Sequence, residues 1–218
     1  RWNHKNKWFV DAYFLYTKDV LSDVPFQDNS NNTLNTQSIN LNYELQYSID
    51  ASTYQYINQS WYTALTTSLF YMENETNAAP SGNIDVVTST TGFFVNSFNR
   101  LNISNNRALS MDVDVTYISS LLFGTYEWGG SFITNVSFNK SLWKRRAQLT
   151  LALTDIFSTQ NQQLTTRYLN QDNNYVAVPE TRIISIGFTY NFGNFRLENN
   201  EVTTPEEQER ISKKEVGI

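Results

Sequence analysis

The segment from Thr181 to Gly193 most strongly limits what this chain can fold into, because large and small side chains alternate along it. Successive side chains of a strand point to opposite faces. Apart from Arg182, one face is large and apolar, with Ile184, Ile186, Phe188, Tyr190 and Phe192. Apart from Ile183, the other is small and polar, with Thr181, Ser185, Gly187, Thr189 and Asn191. This pattern suits a strand between lipid and a watery lumen, and a soluble sheet with one buried face would show it too.

Eight strand-like segments can be read along the chain, at 7–21, 36–50, 56–73, 84–100, 107–123, 127–141, 145–157 and 180–193. The second alternates most cleanly, with apolar residues from Ile39 to Ile49 set between polar ones from Asn40 to Ser48. Segments of 13 to 18 residues exceed the ~5–6 residues of a soluble strand. They also exceed the ~9–11 residues that span a bilayer. We therefore expect strands that project beyond a membrane.

The connections between these segments are expected to alternate in length. Short ones are predicted at 50–53, 101–106 and 142–144, and long ones at 22–35, 74–83 and 158–179. Short periplasmic turns and long extracellular loops are typical of outer-membrane barrels. The connection at 124–126 breaks the rhythm because it should be long and is short. Two long strands that pair above the membrane would explain it.

Composition excludes several classes of protein. The chain of 218 residues has no cysteine, so disulfides and thiolate sites are excluded. It has no apolar run of 18 residues, so no transmembrane helix is predicted. A search for long apolar runs does not detect a transmembrane barrel, because half of its strand residues are polar. The aromatic fraction is 15% beside 17% charged residues, and the net charge of -5 argues against a nucleic-acid partner.

Two motifs near the end of the chain resemble a known family. Ser185, Gly187, Tyr190 and Phe192 resemble the terminal-strand signal that the barrel-assembly machinery of the outer membrane reads. The stretch 149–160, Leu-Thr-Leu-Ala-Leu-Thr-Asp-Ile-Phe-Ser-Thr-Gln, is similar to the penultimate strand of the outer-membrane β-barrel family that includes TonB-dependent receptors. Glu-Thr-Arg at 180–182 matches the start of that family's last strand. The resemblance is best over 131–193, looser over 36–130, and departs after Gly193, where this chain continues for 25 residues.

The resemblance implies an all-β fold, an antiparallel transmembrane β-barrel in the outer membrane of a Gram-negative bacterium. Barrels of this family have about 22 strands and enclose a plug domain. We therefore expect residues 1–193 to be the C-terminal part of a larger barrel. An open sheet edge is not viable in lipid, so the rest of the barrel and the plug must come from the same or another chain. The alternative from the residues alone is a soluble antiparallel β-sandwich.

Three functions remain open at this point. The favoured one is a wall segment of a TonB-dependent receptor that imports a bulky ligand, with TonB and the lipid bilayer as partners. The second is a receptor-like scaffold subunit of a larger outer-membrane complex that contacts other outer-membrane or periplasmic proteins. The third is a free-standing, eight-stranded, adhesin-like barrel, which requires segments 7–21 and 180–193 to pair. No enzyme is predicted, because His4 is the one histidine and has no evident catalytic partner.

Several side chains are assigned structural roles. Asp112 and Asp114 are expected to face the lumen, with Arg146 and Arg182 as the obvious counter-charges. Two carboxylates are too few for a Ca²⁺ site, so neither metal nor cofactor is expected. Interfacial aromatic residues are predicted near strand ends, at Trp8, Trp61, Trp128 and Trp143.

The two ends of the chain and one loop complete the predictions. The chain starts at Arg1 without Met or a signal peptide, so we expect a mature form or a fragment. Residues 194–218 are expected to be a polar tail in the periplasm, and Thr204-Pro205-Glu206-Glu207 resembles the capping box of a short helix. A disordered tail is the alternative. The Gln- and Asn-rich loop 158–180 is the best candidate for outward contacts.

Overall fold

The computed structural model describes residues 2–4, 7–28, 30–77, 85–168 and 171–192. They form one antiparallel sheet of eleven strands. The strands are β1 (Trp2–His4), β2 (Trp8–Asp28), β3 (Thr33–Tyr56), β4 (Trp61–Asn77), β5 (Asp85–Asn102), β6 (Leu109–Phe123), β7 (Tyr126–Leu142), β8 (Ala147–Thr154), β9 (Gln162–Tyr168), β10 (Gln171–Ala177) and β11 (Ile183–Tyr190). A 3-10 turn, Trp143–Arg145, links β7 to β8. No helix in these ranges is long and apolar enough to cross a membrane.

Consecutive strands are neighbours from β1 to β8, and β11 pairs with β8. β8 and β9 both pair with β7, β8 along Val136–Leu142 and β9 along Tyr126–Gly129. They are therefore two parts of one long, interrupted strand, and β10 and β11 form the next one in the same way. The predicted all-β antiparallel fold is confirmed. The eight predicted segments correspond in order to β2 to β8 and β11.

The loops predicted at 22–35 and 158–179 are wrong. β2 and β3 stay paired to the Asp28–Thr33 pair, and the Asp28 carboxylate accepts a hydrogen bond of 2.9 Å from the Ser30 amide. Hydrogen bonds from the hydroxyl and amide of Ser30 lower the pKa of Asp28. Most of the second stretch is the β9–β10 hairpin. Polar strands that pair outside a membrane lack an apolar face, so their sequences resemble loops.

The turn predicted at 50–53 is also displaced. β3 continues to Tyr56 because Thr53 pairs with Trp8 on β2. The chain reverses at 57–60, where the Asn58 side chain accepts hydrogen bonds from the amides of Ser60 (2.8 Å) and Trp61 (2.9 Å). The short connection at 124–126 is confirmed. It is a tight turn between two long strands, which stay paired up to Phe123 and Tyr126.

The sheet has two different ends. The turns at 57–60, 103–108 and 143–146 lie at one end, which we call the turn end. The β2–β3, β6–β7 and β9–β10 hairpins close at the opposite end, which we call the hairpin end. Antiparallel neighbours alternate in direction, so successive connections fall alternately at the turn end and the hairpin end. Strand pairing nevertheless takes up most of the residues that were predicted to form long loops.

The apolar face of the sheet is not covered. In the described part of the chain only seven apolar side chains are buried, Pro25 among them. Phe14 is 65% exposed, Ile184 is 70% exposed and Ile186 is 76% exposed. A soluble sandwich would pack this face against a second sheet, so that alternative fails. Nor does β2 pair with β11 in the described ranges, and the sheet is open.

The apolar face is as high as a membrane is thick. On β4, alternate outward residues run without charge from Trp61 to Tyr71, a span of eleven residues, before Glu73 follows. On β2 the uncharged span is nine residues, from Trp8 to Tyr16. A transmembrane strand needs ~9–11 residues. Trp8 and Trp61 stand at the turn-end limit of this uncharged span, and Tyr16 and Tyr71 stand at its limit toward the hairpin end. We call the span the membrane band.

Candidate functional site

Three hairpins that are far apart in the sequence meet at the hairpin end. The Gln171 side chain on β10 donates a hydrogen bond of 2.9 Å to the carbonyl of Pro25 on β2. The Thr166 hydroxyl on β9 donates one of 2.9 Å to the carbonyl of Thr125, in the β6–β7 turn. Both contacts are buried. The tip of the β2–β3 hairpin, residues 20–28 and 30–41, is thus held close to the β6–β7 turn and β10, and we call the group the hairpin cluster.

Gly124 allows the closest approach within the hairpin cluster. Its φ is +59°, and a Cβ there would overlap the Ser22 hydroxyl of β2. The Asn74 side chain donates a buried hydrogen bond of 3.0 Å to the Gly124 carbonyl. At the base of the β2–β3 tip, Asp19 has a φ of 55°, which interrupts the extended backbone where the tip leaves the membrane band. Glycine at 124 satisfies both the backbone conformation and the space.

We expect Gly124→Ala to loosen the hairpin cluster. The left-handed conformation costs a non-glycine residue about 1–2 kcal/mol, and the collision with Ser22 adds to that. The β2–β3 tip should become more sensitive to external protease, with normal amounts of protein in the membrane. Gly187→Ala is the matched control, since its Cβ would lie 3.9 Å from the Thr150 Cβ, an ordinary contact. Equal protease resistance of both variants would contradict the role of Gly124.

A cavity of about 520 Å³ lies within the hairpin cluster. Buried apolar side chains form part of its wall, namely Leu41, Met72 and Leu122. Two carboxylates, of Glu44 and Asp23, also line it. None of the described lining residues is Lys, Arg or His. The cavity thus combines an apolar wall with unbalanced negative charge.

Polar atoms beside this cavity lack partners. Asn74 and Thr125 are each 3% exposed, and neither the Asn74 Oδ1 nor the Thr125 Oγ1 has a hydrogen-bond partner among the described residues. Buried polar atoms are normally hydrogen-bonded, in most cases to protein or ordered water. Tyr126 lines the same cavity, and burial raises the pKa of its hydroxyl.

A second polar group lies on the lumen face of the sheet. The Arg100 guanidinium binds the Asp112 carboxylate through two hydrogen bonds, of 2.7 and 2.8 Å. Asn139 donates a third, of 3.2 Å, to the same carboxylate. Asp114 accepts a hydrogen bond of 3.2 Å from Asn96. The bidentate pair fixes neighbouring strands, although a half-exposed ion pair contributes little stability.

The counter-charge predicted for Asp112 is therefore wrong. Arg100 takes that place, on the adjacent strand β5. Arg146 is exposed and lies in the turn before β8, and Arg182 is exposed just before β11. Arg100 and Asp112 are direct cross-strand partners, so correct pairing of the fourth and fifth segments would have revealed the contact.

Three of the four predicted interfacial tryptophans lie at the turn end. Trp8 and Trp61 begin β2 and β4, and Trp143 lies in the turn before β8. The Trp143 ring centre is 5.8 Å from that of Tyr190 on β11. Trp128 lies instead near the hairpin end, where it lines a small cavity. The interfacial role of all four tryptophans stays a prediction.

A second row of aromatic residues crosses the apolar face at the hairpin-end limit of the membrane band. The rings form close pairs across strands: Tyr16 with Tyr43 (5.6 Å), Tyr47 with Tyr71 (5.1 Å) and Phe93 with Tyr117 (4.9 Å). Two aromatic belts are typical of transmembrane barrels. Sequence reasoning missed this row because its members lie inside long strands rather than at strand ends.

Asp155 connects the two family-like motifs. It is fully buried and accepts hydrogen bonds from the amides of Thr159 (3.0 Å) and Gln160 (3.1 Å) and from the Thr181 hydroxyl. The Asp155 amide donates to Asn135 on β7 (3.0 Å). Burial disfavours the charged form, but the hydrogen bonds outweigh it and lower the pKa of Asp155. Asp155 follows the last residue of β8 and closes the gap between β8 and β9.

The four predicted assembly-signal residues lie on or just beyond β11. Ser185 and Gly187 pair with Ala152 and Thr150 on β8. Tyr190 ends the strand, and Phe192 is 86% exposed. The structure describes no partner on the other edge of β11. Their role in assembly stays a prediction, and the predicted tail at 194–218 lies outside the described residues.

An open antiparallel sheet with an uncovered apolar band, two aromatic belts and a polar opposite face is the wall of a transmembrane β-barrel. The chain matches the outer membrane protein beta-barrel family over residues 1–190, and it belongs to that family. Its location is therefore the outer membrane. Neither a curated protein nor a solved structure matches it.

Proposed function

We propose that this chain forms the C-terminal part of the wall of a larger, TonB-dependent import barrel. The observation that carries the proposal is the polar face of the sheet. Many of its side chains hydrogen-bond to one another across strands, and the apolar cluster of Phe70, Met72 and Leu122 lies toward the hairpin end. Such a surface suits a wide, water-filled lumen with room for a plug and a passing ligand.

Hydrogen bonds within the wall support the proposal of a wide lumen. The Asn139 side chain binds Asp112 and also accepts a hydrogen bond of 2.9 Å from Thr150. Asn96 donates one of 2.8 Å to Thr116. Each bond joins neighbouring strands, so these groups are satisfied within the wall and do not need an opposite wall close by. In an eight-stranded barrel, side chains fill the interior, and β2 would have to pair with β11.

The rest of the proposal follows from this placement. The turn end faces the periplasm, as short turns do in such barrels, and the hairpin cluster faces the exterior. The 194–218 tail would leave β11 on the periplasmic side. A plug from the same or another chain would lie against the polar face, and coupling to TonB would drive import.

Conductance in planar bilayers tests the proposal. The full-length polypeptide that carries this wall and its plug should be nearly closed, and removing the plug should open a large, steady conductance. A structural scaffold would give no such increase, because nothing in its lumen would be removed. Residues 1–193 on their own should not insert, and a stable barrel formed by them alone would favour the eight-stranded alternative.

A further inference from the structure

We propose that the cavity in the hairpin cluster binds a small organic cation with an apolar body, a primary amine or a guanidine. The proposal rests on the proposed import function and names the substrate class that the barrel would accept. Binding can nevertheless be measured without transport, so the two can fail separately.

The size and walls of the cavity suit such a molecule. Its volume of about 520 Å³ lies within the ~300–1,000 Å³ of typical ligand pockets. Leu41, Met72 and Leu122 are nearly inaccessible to solvent and give it a fixed apolar wall. Leu21 and Phe123 also line the cavity and are exposed, so an apolar group of the ligand that covers them would gain hydrophobic stabilisation in proportion to the area buried.

The charge of the cavity selects a cation. Glu44 is half-buried and makes no ion pair or hydrogen bond within the described ranges. Asp23 is more exposed and accepts a hydrogen bond from Ser38. With no basic side chain among the described lining residues, the field inside the cavity is negative. A carboxylate that is partly withdrawn from water interacts strongly with an opposite charge, and it repels an anionic ligand.

The carboxylates of the cavity require a ligand that donates hydrogen bonds. An ionised carboxylate only accepts hydrogen bonds, and that of Glu44 has no partner within the described ranges. An ammonium group carries three donors and no acceptor, and a guanidinium carries five. Such a ligand would therefore match Glu44 both in charge and in its hydrogen-bond donors.

The experiment is calorimetric titration of the full-length protein in nanodiscs with phenethylamine. Phenylacetate and 2-phenylethanol are the matched probes, because they keep the ring and replace the ammonium with an anion or a neutral hydroxyl. We expect saturable binding of the amine, binding of the alcohol at least about tenfold weaker (about 1.4 kcal/mol), and no binding of the anion. This comparison uses the unaltered protein and does not depend on the folding of any variant.

Variants locate the site. Glu44→Gln keeps the shape of the side chain and should weaken amine binding at least about tenfold, while Asp23→Asn should have a smaller effect because Asp23 is exposed. Glu180→Gln makes the same chemical change at an exposed position away from the cavity and should leave binding unchanged. Unselective binding of the three probes, absent amine binding, or undiminished binding by Glu44→Gln would each overturn the proposal. Amine binding by a protein without a plugged channel would instead overturn the import function alone.

Discussion

A variant carrying Gly187→Ala, Tyr190→Ser and Phe192→Ser is expected to be absent from the outer membrane. Gly187 and Tyr190 lie on the last strand, which pairs along its whole length with β8, and Phe192 lies just beyond it. The Tyr190 ring is 5.8 Å from Trp143 and 4.7 Å from Phe192, so the three rings form one aromatic group at the turn end. The triple variant would remove both the predicted assembly signal and this contribution to the aromatic belt.

The three substitutions are expected to contribute unequally to the loss of insertion. Gly187→Ala alone should assemble normally, because the added Cβ meets only the Thr150 Cβ at 3.9 Å. The aromatic pair should carry the loss. Insertion is measured as the fraction of folded protein in outer-membrane preparations, from its altered mobility in unheated gels.

A second aromatic pair provides the control for loss of apolar surface. Phe14 and Tyr47 stack at 6.3 Å on the same apolar face, and Phe14→Ser with Tyr47→Ser removes two rings away from the last strand. That variant should still insert, with reduced stability. Normal insertion of the triple variant, or equal failure of the control, would contradict a specific signal at the end of β11.

The sequence predicts those parts of the fold that depend on local alternation. Ile184 to Phe192 and Ile39 to Ile49 show their faces directly, because lipid and water select opposite side chains at every second position. The turn at 57–60 could not be placed in this way. It depends on the Asn58 side chain and on the pairing of Thr53 with Trp8, a partner 45 residues away (53 minus 8).

The candidate site was hidden for a related reason. Glu44 occupies a polar position in an alternating strand, and nothing nearby in the sequence distinguishes it from other lumen-facing residues. Its cavity exists only because the hairpins meet, through contacts such as that of Gln171 with Pro25, which are 146 residues apart. By contrast, the family-like motifs at 149–160 and 180–182 were recognisable in the sequence, and the direct contact of Thr181 with Asp155 explains why both belong to one pattern.

Asp155→Ala is expected to release the β9–β10 hairpin from the wall. The substitution leaves the amides of Thr159 and Gln160 and the Thr181 hydroxyl without their acceptor in a buried site. A buried donor that is left without its acceptor costs about 1–3 kcal/mol. Because the loss is confined to the junction of β8 and β9, external protease should cut between 155 and 182 while the membrane band stays folded.

The exposed ion pair of the same hairpin is the control. Arg167 and Asp172 lie 3.0 Å apart with side chains about 70% exposed, and such pairs contribute little stability. Asp172→Ala should therefore leave protease resistance unchanged. If Asp155→Ala is equally resistant, the hydrogen bonds of Asp155 are not what holds the hairpin.

The pH dependence of protease resistance distinguishes the effect of the Asp155 charge from the effect of its side-chain shape. Its pKa is lower in the folded protein than the ordinary 3.8, so the folded state binds the proton less tightly than the unfolded state does. The stability from the ionised carboxylate is therefore fully present above pH 3.8 and is lost as the pH falls through the lower, folded value. Asp155→Asn cannot ionise, so the difference in protease resistance between it and the unaltered protein should be largest at neutral pH. It should shrink below pH 3.8, and a difference that stays constant across this range would assign the effect to shape alone.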